Sequence, residues 1–121
     1  MKDHKKHGIG FEFAFNGLKE AFIRERNFRI HLLVATLVVI MSFILKLSKV
    51  EWLFVILAIQ MVLFAELVNT IAERIIDHIK PEIHPNAKII KDIGAAIVLL
   101  AAFFSVIIGL AIFLPKIINL L

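Results

Sequence analysis

Three apolar stretches dominate the pattern of the chain, at residues 30–45, 50–65 and 93–114. A helix that crosses a bilayer needs roughly 20 apolar residues. The third stretch meets that length unaided. The first two reach it by snorkelling of Lys46 and Lys49 and by extension into more polar turns. Spanning helices are therefore expected at about 30–47, 50–70 and 93–114. Between the first two, residues 46–51 leave room only for a tight turn, and Trp52 beyond it suits the interfacial aromatic belt. Between the second and third lies a polar segment, 77–92, in which Pro81 and Pro85 break helix because each lacks a backbone donor. Residues 87–92 are expected to be helical again and to lead into the third span.

Residues 11–28 carry too much charge to span. Phe11, Phe15, Leu18 and Phe22 nevertheless recur at the spacing of one helical face, while Glu12, Asn16, Lys19 and Arg26 fall off it. That pattern predicts an amphipathic helix lying in the membrane interface, closing at Glu25.

Composition agrees with a hydrocarbon environment. Hydrophobic residues make up 60% of the 121 positions, and the mean hydropathy is +0.91. A chain this short cannot bury that much apolar surface within itself. The fold class expected is an all-α integral membrane protein, a single domain over residues 1–121, with a cytoplasmic segment and surface helix in 1–28. No cleavable leader is expected, because the first ten residues are polar and no apolar run with a small-residue cleavage site follows them. The absence of cysteine excludes disulfides, thiolate nucleophiles and Cys-ligated metals. The net charge of +4 does not indicate nucleic acid, since the basic residues flank apolar runs and form no aromatic-interleaved patch.

Charge placement sets the expected orientation. Lys and Arg crowd the N-terminal region and the second connection, which carries Arg74, Lys80, Lys88 and Lys91. The first connection has only Lys46 and Lys49, and the C-terminal tail only Lys116. The positive-inside rule then puts the N-terminus in the cytoplasm and the C-terminus outside.

One feature of the second span calls for chemistry. Glu66, Asn69, Glu73 and Asp77 share about 80° of helical arc, forming one polar stripe. Glu66 directly follows the apolar run, where a carboxylate costs about 2 to 3 kcal/mol even on lenient insertion scales. A solvated helix end accounts for Arg74 and equally for Asp77, but poorly for Glu66. Stacked carboxylates with an amide are hard oxygen ligands for Mg²⁺, and a partly dry carboxylate suits a general base. Glu25 alone reads as a surface charge paired with nearby Arg29, but it is placed at the same interface as Glu73, so the two are candidates to share a metal. Lys91 and Asp92 head the third span, where backbone N–H groups and lysine suit phosphate oxygens; positive-inside anchoring accounts for Lys88 and, as readily, for Lys91. His84 has no second histidine spaced to join it as a metal ligand. No glycine-rich nucleotide loop is present. An acidic, metal-supporting site with nearby cations at a cytoplasmic membrane face points to phosphoryl transfer onto a lipid alcohol. A non-enzymatic membrane scaffold, whose carboxylates are only a helix end, is the competing class.

The residues Glu66-Leu67-Val68-Asn69-Thr70, Glu73, Asp77 and then Lys91-Asp92 before a small-residue apolar helix resemble the small bacterial membrane lipid kinases. These are the prokaryotic diacylglycerol kinases and undecaprenol kinases. The resemblance covers about residues 11–116. It implies a homotrimer of three-span subunits with composite sites, in the bacterial cell membrane, using Mg²⁺ and ATP on a lipid alcohol of the bilayer. By position it implies Glu66 as the base, and Glu25 and Glu73 as metal ligands. Lys6, Glu25, Glu73, Glu82, Ile83, His84, Lys91 and Asp92 are the implied ATP contacts. Asn69 and Asp77 are the implied supporting residues, and Arg29 and Ala95, with Glu66, the implied lipid contacts. One departure is visible: Ile71 and Ala72 stand in the opposite order to the usual Asn-Thr-Ala-Ile-Glu run, on a face away from the stripe. The runs Glu25-Arg26-Asn27-Phe28-Arg29-Ile30-His31, Glu51-Trp52 and Phe113-Leu114-Pro115-Lys116 resemble the Gram-positive branch. That favours undecaprenol as acceptor over diacylglycerol.

Overall fold

A computed structural model describes residues 9–79 and 85–121, which form four helices and, among those residues, no strand. They are α1 (Ile9–Arg24), α2 (Arg26–Ile44), α3 (Lys49–His78) and α4 (Pro85–Leu120). Helices α2, α3 and α4 are each long and apolar enough to cross a membrane.

The structure departs from the expected elements at their ends. The surface helix was expected to close at Glu25, and α1 stops one residue before it, at Arg24. Glu25 is extended (φ −108°, ψ 107°), and Phe28 is buried as part of α2. Arg29 supplies the reason. Its Nη1 donates to the carbonyls of Phe22 (2.8 Å) and Ile23 (2.9 Å), which in a continuous helix would accept from residues 26 and 27. Glu25 N–H closes the last turn of α1 on Ala21 O, and Glu25 O accepts from Arg29 N–H to open α2. The first spanning helix consequently begins at Arg26 rather than about residue 30. The second continues past 70 to His78, and the helix expected from 87 into the third span begins at Pro85. Pro85 opens α4 instead of breaking a helix, since the first turn has no use for its missing N–H.

The turn between α2 and α3 is built locally. Ser48 and Glu51 form a capping box, with Glu51 N–H donating to Ser48 Oγ (3.2 Å) and Ser48 N–H to Glu51 Oε1 (2.9 Å). Lys46 takes up the left-handed conformation (φ 55°) that reverses the chain. Glu51 also pairs with Lys116 Nζ at 3.1 Å, and the Phe43 and Trp52 rings meet edge to face. Beneath them Leu47, Val55 and Ile112 form the buried apolar cluster of this end.

The contacts Glu51–Lys116, Asn69–Gly94 and Asp77–Lys91 align α3 and α4 antiparallel along their length. Helix α2 packs on α3 in the same sense, from Phe43–Trp52 at one end to His31–Glu66 at the other. The start of α2, the end of α3 and the start of α4 therefore meet at one end. That end holds Glu25, Glu66, Glu73, Asp77 and Lys91.

Candidate active site

Glu66 lies on α3 where the helix leaves its apolar run, and only 3% of it is exposed. Burying a carboxylate is costly unless it is paired. The basic side chain beside it is His31 on α2, with Nε2 3.5 Å from Glu66 Oε1. Glu25 and Glu73 are close enough for their charges to act on Glu66, and the charge of Glu73 in turn reaches Lys91. Glu25, at the α1–α2 break, and Glu73, on α3, thus both lie within electrostatic reach of Glu66.

Glu25 is fixed from outside. Arg74 donates to Glu25 Oε2 through Nη2 (2.8 Å) and Nε (3.2 Å), and to Glu20 Oε2 on α1 through Nη1 (3.1 Å). Both bonds to Glu25 fall on one oxygen, which leaves Oε1 without a bond among the described residues. An exposed pair of this kind stabilises little. Its effect is positional: it ties the α1–α2 break to the α3 carboxylates. The sequence suggested Arg74 was merely solvated.

Lys91 donates to Asp77 Oδ1 at 2.8 Å, and Lys88 to Asp92 Oδ2 at 2.7 Å. Asp77 therefore acts here as the counter-ion that holds Lys91. Arg29 is engaged on the α1 carbonyls, and Ala95 is exposed on α4. Lys6, Glu82, Ile83 and His84 lie outside the described residues.

Asn69 is buried against α4, where Gly94 makes room for it. A Cβ on residue 94 would stand 2.5 Å from Asn69 Oδ1. That oxygen and Thr70 Oγ are buried and have no partner among the described residues. Sequence reasoning missed both His31 and Gly94 as site residues. His31 had a signal: it is the sole ionisable residue within the apolar run 30–45. Gly94 had none, because a glycine among alanines in an apolar helix is ordinary.

Among the described residues no three His, Asp or Glu side chains converge on a metal position. The donor set still fits Mg²⁺, which is commonly held by one or two carboxylates and completed by substrate phosphates. Glu73 and Glu25, the latter with Oε1 unbonded among the described residues, are carboxylates of that kind.

Comparison with known proteins decides the family. The model of the prokaryotic diacylglycerol kinases matches residues 12–113. The chain belongs to that family. It is 40% identical over 119 residues to the undecaprenol kinase of Bacillus subtilis, covering 95% of this chain and 97% of that one. It is 35% identical over 114 residues to a diacylglycerol kinase of Synechocystis, covering 93% of this chain and 65% of that protein. The diacylglycerol kinase of Escherichia coli K12 is 30% identical over 95 residues, 78% of each chain. The chain is thus a bacterial membrane protein of a lipid kinase family, which leaves the scaffold reading without support. For such a kinase, Gly94→Ala is expected to turn the Asn69 amide out of its slot and lower kcat about tenfold. Stability should change by less than about 1 kcal/mol, since alanine is the better helix former. Turnover and denaturant titration in detergent measure the two effects.

Proposed function

We propose that this protein transfers the γ-phosphoryl group of ATP to undecaprenol, giving undecaprenyl phosphate. The observation that carries the chemistry is the buried Glu66, paired with His31 and flanked by Glu25 and Glu73. Similarity over nearly the full length of the Bacillus subtilis undecaprenol kinase supports that acceptor. Diacylglycerol is the second reading, supported by the similarity to the diacylglycerol kinases.

In this reading Glu66 is the general base. It accepts the proton of the lipid hydroxyl as the hydroxyl oxygen attacks the γ-phosphorus. The bond from that phosphorus to the bridging oxygen breaks, and ADP leaves. Glu25 and Glu73 hold Mg²⁺, which when bound neutralises charge on the phosphate oxygens. Lys91, steered by Asp77, and Asp92 contact the nucleotide, together with Lys6, Glu82, Ile83 and His84. Asn69 supports the α3 face of the site, and Arg29 and Ala95 contact the lipid.

The same reading includes a homotrimer with sites shared between subunits. The N-terminus lies in the cytoplasm and the C-terminus outside. Helix α1 lies in the interface, which accounts for the exposure of Phe11 (77%) and Phe15 (69%) on one face.

The test is transfer of labelled phosphate from Mg-ATP in detergent micelles carrying either lipid. Turnover on undecaprenol is expected to exceed that on diacylglycerol at least about tenfold, a difference of 1.4 kcal/mol in transition-state binding. The reverse preference would establish the second reading, and transfer to neither would overturn both.

A further inference from the structure

The three spanning helices line a half-open apolar groove of about 400 Å³, bordered by residues such as Val34 and Val38 of α2, Ala58 and Val62 of α3, and Val106 of α4. Glu66 does not line it. His31 does, and the same imidazole stands against Glu66 Oε1. A quarter of the His31 side chain is exposed, against 4% of that of Glu66. The imidazole is therefore the boundary between the carboxylate and the open space between the helices.

We propose that His31 is the positioning residue of the reaction. It holds the Glu66 carboxylate by Oε1, which keeps Oε2 turned to the acceptor hydroxyl. This inference rests on the reading of Glu66 as the base. A carboxylate on an unbranched side chain has several rotamers of similar energy, and burial alone does not choose among them. A single directed contact from the neighbouring helix does. Glu25 and Glu73, the other charged groups acting on Glu66, are carboxylates and repel it. From α4, Ile97 and Ala101 share a pocket with Ala65, beside Glu66, and neither carries charge. Among these groups His31 alone can attract Glu66 and donate a hydrogen bond to it.

The role predicts a particular pattern of rates in the full-length protein. His31→Ala should lower kcat about 10- to 100-fold while KM for Mg-ATP stays within about twofold, because a displaced base slows chemistry without altering nucleotide docking. His31→Gln, which keeps a donor near the same place, should recover most of that loss. Combining His31→Ala with Glu66→Gln should give the residual rate of Glu66→Gln alone, since a residue acting through another adds nothing once that other is gone. Losses that multiply, or a His31→Ala enzyme with native kcat, would overturn the role. So would a fall in kcat explained fully by loss of folded protein, measured by equilibrium nucleotide binding per mole. The base reading fails separately: it falls if Glu66→Gln keeps near-native turnover, whatever His31 does.

Discussion

Glu66→Gln is expected to reduce turnover by at least about 1,000-fold, while equilibrium binding of Mg-ATP changes little. General base catalysis contributes typically 10² to 10⁴. Glutamine keeps the size and the hydrogen-bonding reach of glutamate but cannot accept the proton. It also removes a buried negative charge flanked by Glu25 and Glu73, so nucleotide binding has no electrostatic reason to weaken. The amide can still meet His31, so the fold keeps its α2–α3 contact. Single-turnover kinetics with saturating nucleotide, beside a titration of nucleotide binding, separate the two quantities. Turnover within tenfold of native would show that the proton goes elsewhere.

Glu73→Gln is expected to act on the other side of that division. Nucleotide affinity should fall about 10- to 100-fold, the range seen when metal-site partners are altered, and kcat should fall with it. Glu73 makes no salt bridge among the described residues, so its charge is available to a cation. The neutral amide loses that charge and leaves Lys91 with Asp77 alone as its neighbouring acid. Raising the Mg²⁺ concentration should restore part of the Glu73→Gln activity and none of the Glu66→Gln activity. A Glu73→Gln protein with native nucleotide affinity at low Mg²⁺ would remove Glu73 from the metal site.

Much of this arrangement was legible in the order of residues. Three apolar runs foretold the number of helices long and apolar enough to span, and the stripe Glu66, Asn69, Glu73, Asp77 marked which face of the second carries its polar groups. Helix ends were less legible. That α2 starts directly after Glu25, and not near residue 30, depends on a guanidinium four residues beyond Glu25 reaching back to the carbonyls of Phe22 and Ile23, a contact with no periodic signature. Pairings between helices were hidden for a related reason. That Arg74 would select Glu20 and Glu25, 54 and 49 positions away, depends on the angle of α1 and not on spacing. Asp77 looked catalytic or solvated from its place on the stripe. Its bond to Lys91 gives it a third occupation, which only the antiparallel alignment of α3 and α4 makes possible.

The three spanning helices keep little of their apolar surface to themselves. In their most apolar stretches only 11% of α2, 33% of α3 and 11% of α4 is buried within the chain. Most of the hydrophobic free energy of this fold therefore belongs to its apolar surroundings. Its resistance to unfolding is a joint property of polypeptide and amphiphile. A value measured in one detergent carries over to another only when the thickness and packing of the two are matched.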